Sequence, residues 1–168
     1  MSNVVTRDPS MVLGAADEQA IGRLMVASIH AIDSGKFEDW PPCFTEKCLY
    51  RILTRTDHEL GRGFGVWFCD TRAMLIDRVS SIRSVNVFEP HVYRHVLGPT
   101  EITGLADGVY GAQTNYMLVR TMYDGDMTLF SAGRYLDEIV IEAGRALLRS
   151  RTVVTDSVRY DTMVALPI

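Results

Sequence analysis

Hydrophobic positions along the chain change period twice, and the elements follow from those changes. Ile21, Leu24, Met25, Ser28, Ile29 and Ile32 recur at three- and four-residue spacing, with Asp17 and Glu18 at the N-terminal end where a helix dipole favours acids. This predicts an amphipathic helix that stops near Ser34-Gly35. In KFEDWPPCF, Pro41-Pro42 prevents a long helix from continuing. CLYRILTR then alternates as a strand, with Leu49, Arg51 and Leu53 on one face and Tyr50 and Ile52 on the other. The segment GVWFCDTRAMLIDRVSSIRSVN reads as a short apolar strand running into a second helix. Asp70 or Thr71 can cap that helix, and Leu75, Val79 and Ile82 recur on one side of it.

Beyond Pro90 the period is that of strands. Asp124-Gly125 sits between two alternating runs as a two-residue type I′ loop would, which sets Val119 opposite Phe130 and Tyr116 opposite Gly133. A second two-residue turn at Ala143-Gly144 sets Glu138 opposite Arg149 and Ile139 opposite Leu148. One face of this meander then collects Tyr116, Leu118, Leu129, Tyr135, Ile139, Leu148 and Val154, a core face for the helices to cover. The other carries Met117, Val119, Phe130, Ala132, Leu136, Leu147 and Val153 beside Asn115, Arg134, Glu138, Arg149 and Arg151. An apolar centre with arginines around it suits a subunit interface, and equally a half-solvated sheet with snorkelling arginines. Helices followed by a long antiparallel meander give an α+β fold: a cone-shaped curved antiparallel sheet with N-terminal helices on its concave side. The expected organisation is an N-terminal leader over residues 1–15 and a single cone-shaped α+β domain over 16–168.

Composition narrows the function classes. A hydrophobic fraction of 47%, a charged fraction of 23% and a net charge of −4 describe a folded soluble domain. No basic excess is present to displace the counterions of nucleic acid. The start, MSNVVTRDPS, lacks a basic segment followed by an apolar run, and no membrane span is evident, so a cytoplasmic protein is expected. Cys43, Cys48 and Cys69 are an odd number without a C-x-x-C pair, and read as buried free thiols.

Candidate chemistry centres on HVYRHVLG, residues 91–98. Two histidines four apart could chelate zinc on a helix, but on a strand they stand roughly 13 Å apart, too far for one ion. No metal-ligand set and no nucleophile elbow is found, and Gly61, Gly63 and Gly65 form a loop rather than a phosphate cradle. Acid/base catalysis is the enzymatic alternative: Asp33, Tyr50, Asp70, Tyr93 and His95 could serve a stand-alone cone-fold isomerase or dehydratase.

The Asp33…Trp40-Pro41…Phe44 run, Tyr50-Arg51, DTRAMLIDRVSSIR (70–83), YRHVLG (93–98), YDGDMTLFSAGRYLD (123–137) and the Leu-Pro-Ile terminus resemble, in order and spacing, the small (beta) subunit of the Rieske-type aromatic-ring-hydroxylating dioxygenases. The likeness is nearest to the aromatic-acid group of terephthalate, salicylate and anthranilate. It implies a nuclear-transport-factor-2-like cone and a partner: a large alpha oxygenase subunit holding a Rieske [2Fe–2S] cluster and a mononuclear Fe(II), in an α3β3 hexamer supplied with electrons by a reductase. Neither ligand set of that partner, C-x-H…C-x-x-H or two histidines and a carboxylate, occurs in this chain. The resemblance therefore implies a structural subunit with no catalytic, cofactor-binding or metal-binding residues of its own. Arg94, His95, Arg134, Arg149 and Arg151 are its expected subunit-interface residues, because arginine commonly anchors interfaces.

Overall fold

A computed structural model describes residues 13–84, 88–157, 160 and 164–168; of the expected leader, residues 1–12 lie outside the described residues, as do Val85 and Asn86 at the end of the second helical segment. The first helix, α1 (Ala15–Asp33), buries Ile21, Leu24, Met25, Ser28, Ile29 and Ile32 as their spacing predicts. The two prolines confine the next segment to two short 3-10 turns, Phe37–Asp39 and Pro41–Cys43. Strand β1 (Phe44–Thr54), a short helix α2 (Arg55–Glu59), strand β2 (Trp67–Cys69) and helix α3 (Arg72–Ser84) come next. His58 lies in α2. The meander is β3 (His91–Ala106), β4 (Val109–Met122), β5 (Met127–Glu142) and β6 (Arg145–Thr155).

These strands form one curved, open sheet in the order β2-β1-β6-β5-β4-β3. Every pairing is antiparallel except β1 with β6, which run parallel. Nothing in the local sequence announces that pairing, because a parallel partner is reached only through a long crossover. Gly65, read from sequence as part of a loop, has a packing role within it: a Cβ there would collide with the Ile52 carbonyl oxygen, so only glycine lets this backbone lie against β1.

The three meander turns solve the twist problem in two ways. Asp107-Gly108 and Ala143-Gly144 hold positive φ at both central positions (52° and 77°, 48° and 77°), as two-residue type I′ loops require. The Asp124-Gly125 turn is different. Only Gly125 has positive φ there (93°); its N–H donates to the Met122 carbonyl at 3.0 Å, and Met122 N–H donates to the Asp126 carbonyl at 2.8 Å. The loop is therefore longer than the two residues expected. Its extra length shifts the pairing by one residue, so that Val119 faces Leu129 rather than Phe130. A bulge at Phe130 then absorbs the shift, and Tyr116 faces Gly133 as the sequence predicts.

A second bulge has wider consequences. Ile139 pairs with Leu148 as expected, but Glu138 pairs with Ser150 and Arg149 is the extra residue. One inserted residue turns every later side chain of the strand to the opposite face. Arg151 and Val153, expected on the outer face, consequently point inward, and Val154, expected inward, stands beside Arg134 on the outer face. The Phe130 bulge likewise moves Leu129 outward, where it is 64% exposed, and Phe130 inward.

Turning Arg151 inward places a charge in the core, and the core meets it completely. Arg151 Nε and Nη2 each donate to an Asp137 carboxylate oxygen at 2.8 Å, Nη1 donates to Ser28 Oγ at 3.3 Å, and Nη2 lies 3.1 Å from Met25 Sδ. The guanidinium also stacks 4.3 Å from the Tyr135 ring centroid. Both side chains are essentially sealed from solvent, 1% and 0% exposed. Removing one member of such a pair strands the other, at a cost of about 3–5 kcal/mol. Asp137→Asn should therefore lower the unfolding free energy in urea by about that amount, whereas the double replacement Asp137→Leu/Arg151→Met should recover most of it. Equal loss in both variants would mean that packing, and not an uncompensated charge, sets the cost.

Cys43, Cys48 and Cys69 are buried free thiols, as the sequence predicts. Burial raises all three thiol pKa values, that of Cys48 to about 11. The native protein should accordingly react far more slowly with iodoacetamide at pH 8 than the urea-unfolded chain. A native thiol alkylated at the unfolded rate would contradict the burial.

Candidate functional site

The sheet offers two surfaces with different chemistry, and each expected site residue falls on one of them. On the outer face, register places Arg94 beside Val119 and Val96 beside Met117, with Leu129 next to Val119. Val92, Val96, Met117 and Leu129 are 58%, 50%, 48% and 64% exposed, so the four strand residues form a continuous apolar strip around Arg94. Strips of this kind on a folded chain mark contact surfaces. Arg134 stands further along β5, between Asn115 and Val154, and its Nε is buried without a hydrogen-bond partner. Arg149, on the bulge, is exposed and reaches Glu138 only at 3.8 Å. Burial and the nearby Arg134 and Arg51 cations together hold the His58 pKa below its ordinary value. The outer face is thus apolar near the β3 edge and cationic toward β1.

Two of the five expected interface residues face the other way. Arg151 is committed to the Asp137 pair, so it has no outer surface to offer. The His95 side chain is 0% exposed and bonded within the chain. Alternation along β3 explains the second case: Val92, Arg94 and Val96 point out while Tyr93 and His95 point in.

The inner face is polar and aromatic, and α1 is tied to it at three places. Near its start, Asp17 accepts from the Tyr110 hydroxyl; at its middle Ser28 accepts from Arg151; at its last residue Asp33 meets His95. The last contact has two parts. Asp33 Oδ1 lies 2.6 Å from His95 Nδ1, and Oδ2 accepts the His95 backbone N–H at 3.0 Å. Since β3 is the edge strand, the carboxylate also satisfies a backbone donor that no neighbouring strand takes. Beside this pair, Tyr93 stacks on Phe130 at 5.5 Å, and Tyr116 shares a 2.9 Å hydrogen bond with Ser131 Oγ. Burial pushes the Tyr50, Tyr116 and Tyr135 phenols well above their ordinary range, so all three stay neutral.

Of the residues that could have served a stand-alone isomerase, the fold assembles some and disperses others. Asp33, Tyr93 and His95 come together. Tyr50 is occupied at the core: its hydroxyl donates to the Ile168 carbonyl at 2.9 Å and accepts the Ile168 N–H at 3.0 Å. Asp70 is exposed ahead of α3, where the Thr71 hydroxyl, and not the aspartate, accepts the Met74 N–H at 3.3 Å. The sequence marks Asp33 and His95 as separate candidates, but their pairing across 62 positions has no local signal. Asp137 is absent from the candidates altogether. Its only cue is an acid two residues after a core tyrosine, on the same face of the strand.

Among the described residues no group of three or more His, Cys, Asp or Glu side chains could hold a metal ion. Nor is any described helix long and apolar enough to cross a membrane.

Comparison with known proteins agrees with this geometry. Residues 14–152 match the SnoaL-like domain family. The chain is 35% identical over 153 residues to the terephthalate 1,2-dioxygenase terminal oxygenase component subunit beta 1 of a Comamonas species, covering 88% of this chain and 99% of that one. It is 34% identical over 137 residues to the anthranilate 1,2-dioxygenase small subunit of Burkholderia cepacia, covering 82% and 85%. Its fold superimposes with a TM-score of 0.82 and 33% identity on a Novosphingobium aromaticivorans crystal structure described as an aromatic-ring-hydroxylating dioxygenase beta subunit, covering 90% and 97%. With an inner face closed around α1 and an apolar, arginine-bearing outer face left over, the chain belongs to the beta subunits of the aromatic-ring-hydroxylating dioxygenases, built on a SnoaL-like domain.

Proposed function

We propose that this chain is the non-catalytic structural subunit of a cytoplasmic terminal oxygenase that acts on an aromatic carboxylic acid such as terephthalate. Its partner is a large alpha subunit carrying the Rieske [2Fe–2S] cluster and the mononuclear Fe(II), assembled as α3β3 and fed with electrons by a reductase. The observation that carries the reading is the outer strip of Val92, Val96, Met117 and Leu129 around Arg94, which a free subunit would leave in water. Arg134 and Arg149 extend that surface with charges suited to an acidic rim. The aromatic acid is supported by the activities of the relatives, terephthalate and anthranilate dioxygenases, both of which name a ring bearing a carboxylate. The chain contains no C-x-H…C-x-x-H set, so the redox centres belong to the partner.

Expressed with its large subunit, the chain should co-purify with it as a brown, iron-containing complex, and expressed alone it should be colourless. Leu129→Lys and Arg149→Ala should each reduce the complex recovered by size-exclusion chromatography, the first more strongly because it puts a charge into an apolar contact. An undiminished hexamer in the double variant would remove this face from the assembly.

A further inference from the structure

The cationic end of the outer face carries charge that the chain itself does not answer. Arg134 Nε is buried and has no hydrogen-bond partner. Arg51, two strands away on β1, donates from Nε to a neutral group, the Thr152 hydroxyl, at 2.9 Å. His58 stands near both, on the helix α2 that packs against β1 and β6. Burial and the Arg134 and Arg51 cations together hold its pKa below the ordinary value, so basic groups from β1, α2 and β5 converge there. The acids of this region are occupied elsewhere. Asp57 accepts from Thr54 Oγ1 and from Arg62 Nη1, each at 2.7 Å; Asp156 pairs with Arg55, and Glu138 leans toward Arg149. Glu59, beside His58 on α2, opposes the two arginines without reversing their effect.

A buried guanidinium N–H has given up water, and a negatively charged acceptor is what best restores its hydrogen bond. The planar fork of arginine matches a carboxylate in particular. Aromatic surface beside the cations narrows the source of that carboxylate. Register sets Phe68 next to Arg51 on β2, and the Phe64 ring lies 4.7 Å from the Phe68 ring while remaining 74% exposed. Because Gly65 seats this loop against β1, Phe64 is presented from a fixed point on the sheet. A small hydrated anion gains nothing from an exposed phenyl ring. An acidic side chain on a protein surface, with an apolar neighbour, uses both, and arginine beside an aromatic ring is the usual composition of an interface anchor.

We propose that Arg51, His58 and Arg134 form a receptor for one carboxylate side chain of the large subunit, with Phe64 taking an apolar neighbour of that acid. Resting on the reading that the outer face meets a large subunit, this second anchor lies at the β1 end, away from the apolar strip beside β3. Two anchors of unlike chemistry, one apolar and one ionic, fix the direction in which the partner lies across the sheet, which apolar contact by itself leaves loose.

The test uses the co-expressed complex, with its dissociation on dilution followed by analytical ultracentrifugation. Arg134→Glu should weaken association at least roughly tenfold, because it sets a like charge against the partner's acid. Phe64→Ser, a change at an exposed ring, should weaken it as well. Sodium sulfate should dissociate the unaltered complex more than sodium chloride of equal ionic strength, since sulfate competes for the guanidinium fork, and in Arg134→Gln that difference should disappear. In the free chain, sulfate should shift the Arg134 Nε–H and His58 ring resonances saturably. Should Arg134→Glu fail to fold, Phe64→Ser and the comparison of the two salts on the unaltered complex still decide: no effect in either overturns the assignment. Association unchanged in Arg134→Glu, while Leu129→Lys still breaks the complex, would overturn this anchor and leave the outer face as the contact surface. Saturable sulfate binding with association unchanged in Arg134→Glu would make the cluster a site for a free anion, and so overturn it too. Unchanged association in all of these variants would remove the outer face from the assembly, and this anchor with it.

Discussion

The inward turn of Arg151 is the constraint on which the rest of the chain depends. A guanidinium and a carboxylate sealed from water are costly unless their geometry is complete. Here both Asp137 oxygens, Ser28, Met25 and the Tyr135 ring complete it. The arrangement exists only because β6 carries one extra residue at Arg149. Without that bulge, Arg151 would stand on the outer face, Asp137 would be buried alone, and Val153 would leave the core. Strand β1 then depends on the same choice. It runs parallel to β6 with Tyr50 beside Arg151 and Ile52 beside Val153, so the bulged register decides which face of β1 carries its tyrosine inward. The Tyr50 hydroxyl in turn holds Ile168, seating the Val164–Ile168 tail in the core.

Polar contacts of this kind divide labour with the apolar ones. The apolar face of α1 supplies burial, but burial alone would let a helix slide on a curved sheet. Asp17, Ser28 and Asp33 hold it at three separate points, on β4, β6 and β3, and so fix its position along its whole length. That fixing closes the inner face. The outer face is left for partners, where α2 and the loop after it protect Leu53 near β1 but leave the β3 edge uncovered.

Much of this is legible in the sequence wherever a local rule applies. The periods of α1, β1 and α3, the Ala143-Gly144 turn, and the Tyr116–Gly133 and Ile139–Leu148 pairs follow from spacing alone. The bulges do not, since a single inserted residue leaves no compositional trace, and each one reverses the expected facing of the strand on one side of it. Simple alternation puts Leu129, Phe130, Arg151, Val153 and Val154 on the wrong face for this one reason. In the Asp124-Gly125 loop the dipeptide matches a two-residue turn, but Asp124 does not take positive φ, and Asp126 N–H bonds to its side chain at 3.0 Å instead. Tertiary pairs such as Asp33–His95 have no sequence signature, because α1 and β3 meet only through the fold.

Adjacent positions in the YRHV run connect the two surfaces. Arg94 points outward into the apolar strip, and His95 points inward to Asp33, yet Arg94 Nη1 comes within 3.9 Å of the same carboxylate. Because Arg94 is 68% exposed, solvent screens that contact and it adds little stability. It does mean that the Asp33 carboxylate is approached by a cation from the outer side and an imidazole from the inner side. A change at Arg94 therefore acts on both surfaces at once: it alters the centre of the outer strip and removes positive charge beside the His95 pair. Leu129 and Arg149 stand only on the outer face, so substitutions there leave the surroundings of the Asp33–His95 contact unchanged, which no substitution at Arg94 can do.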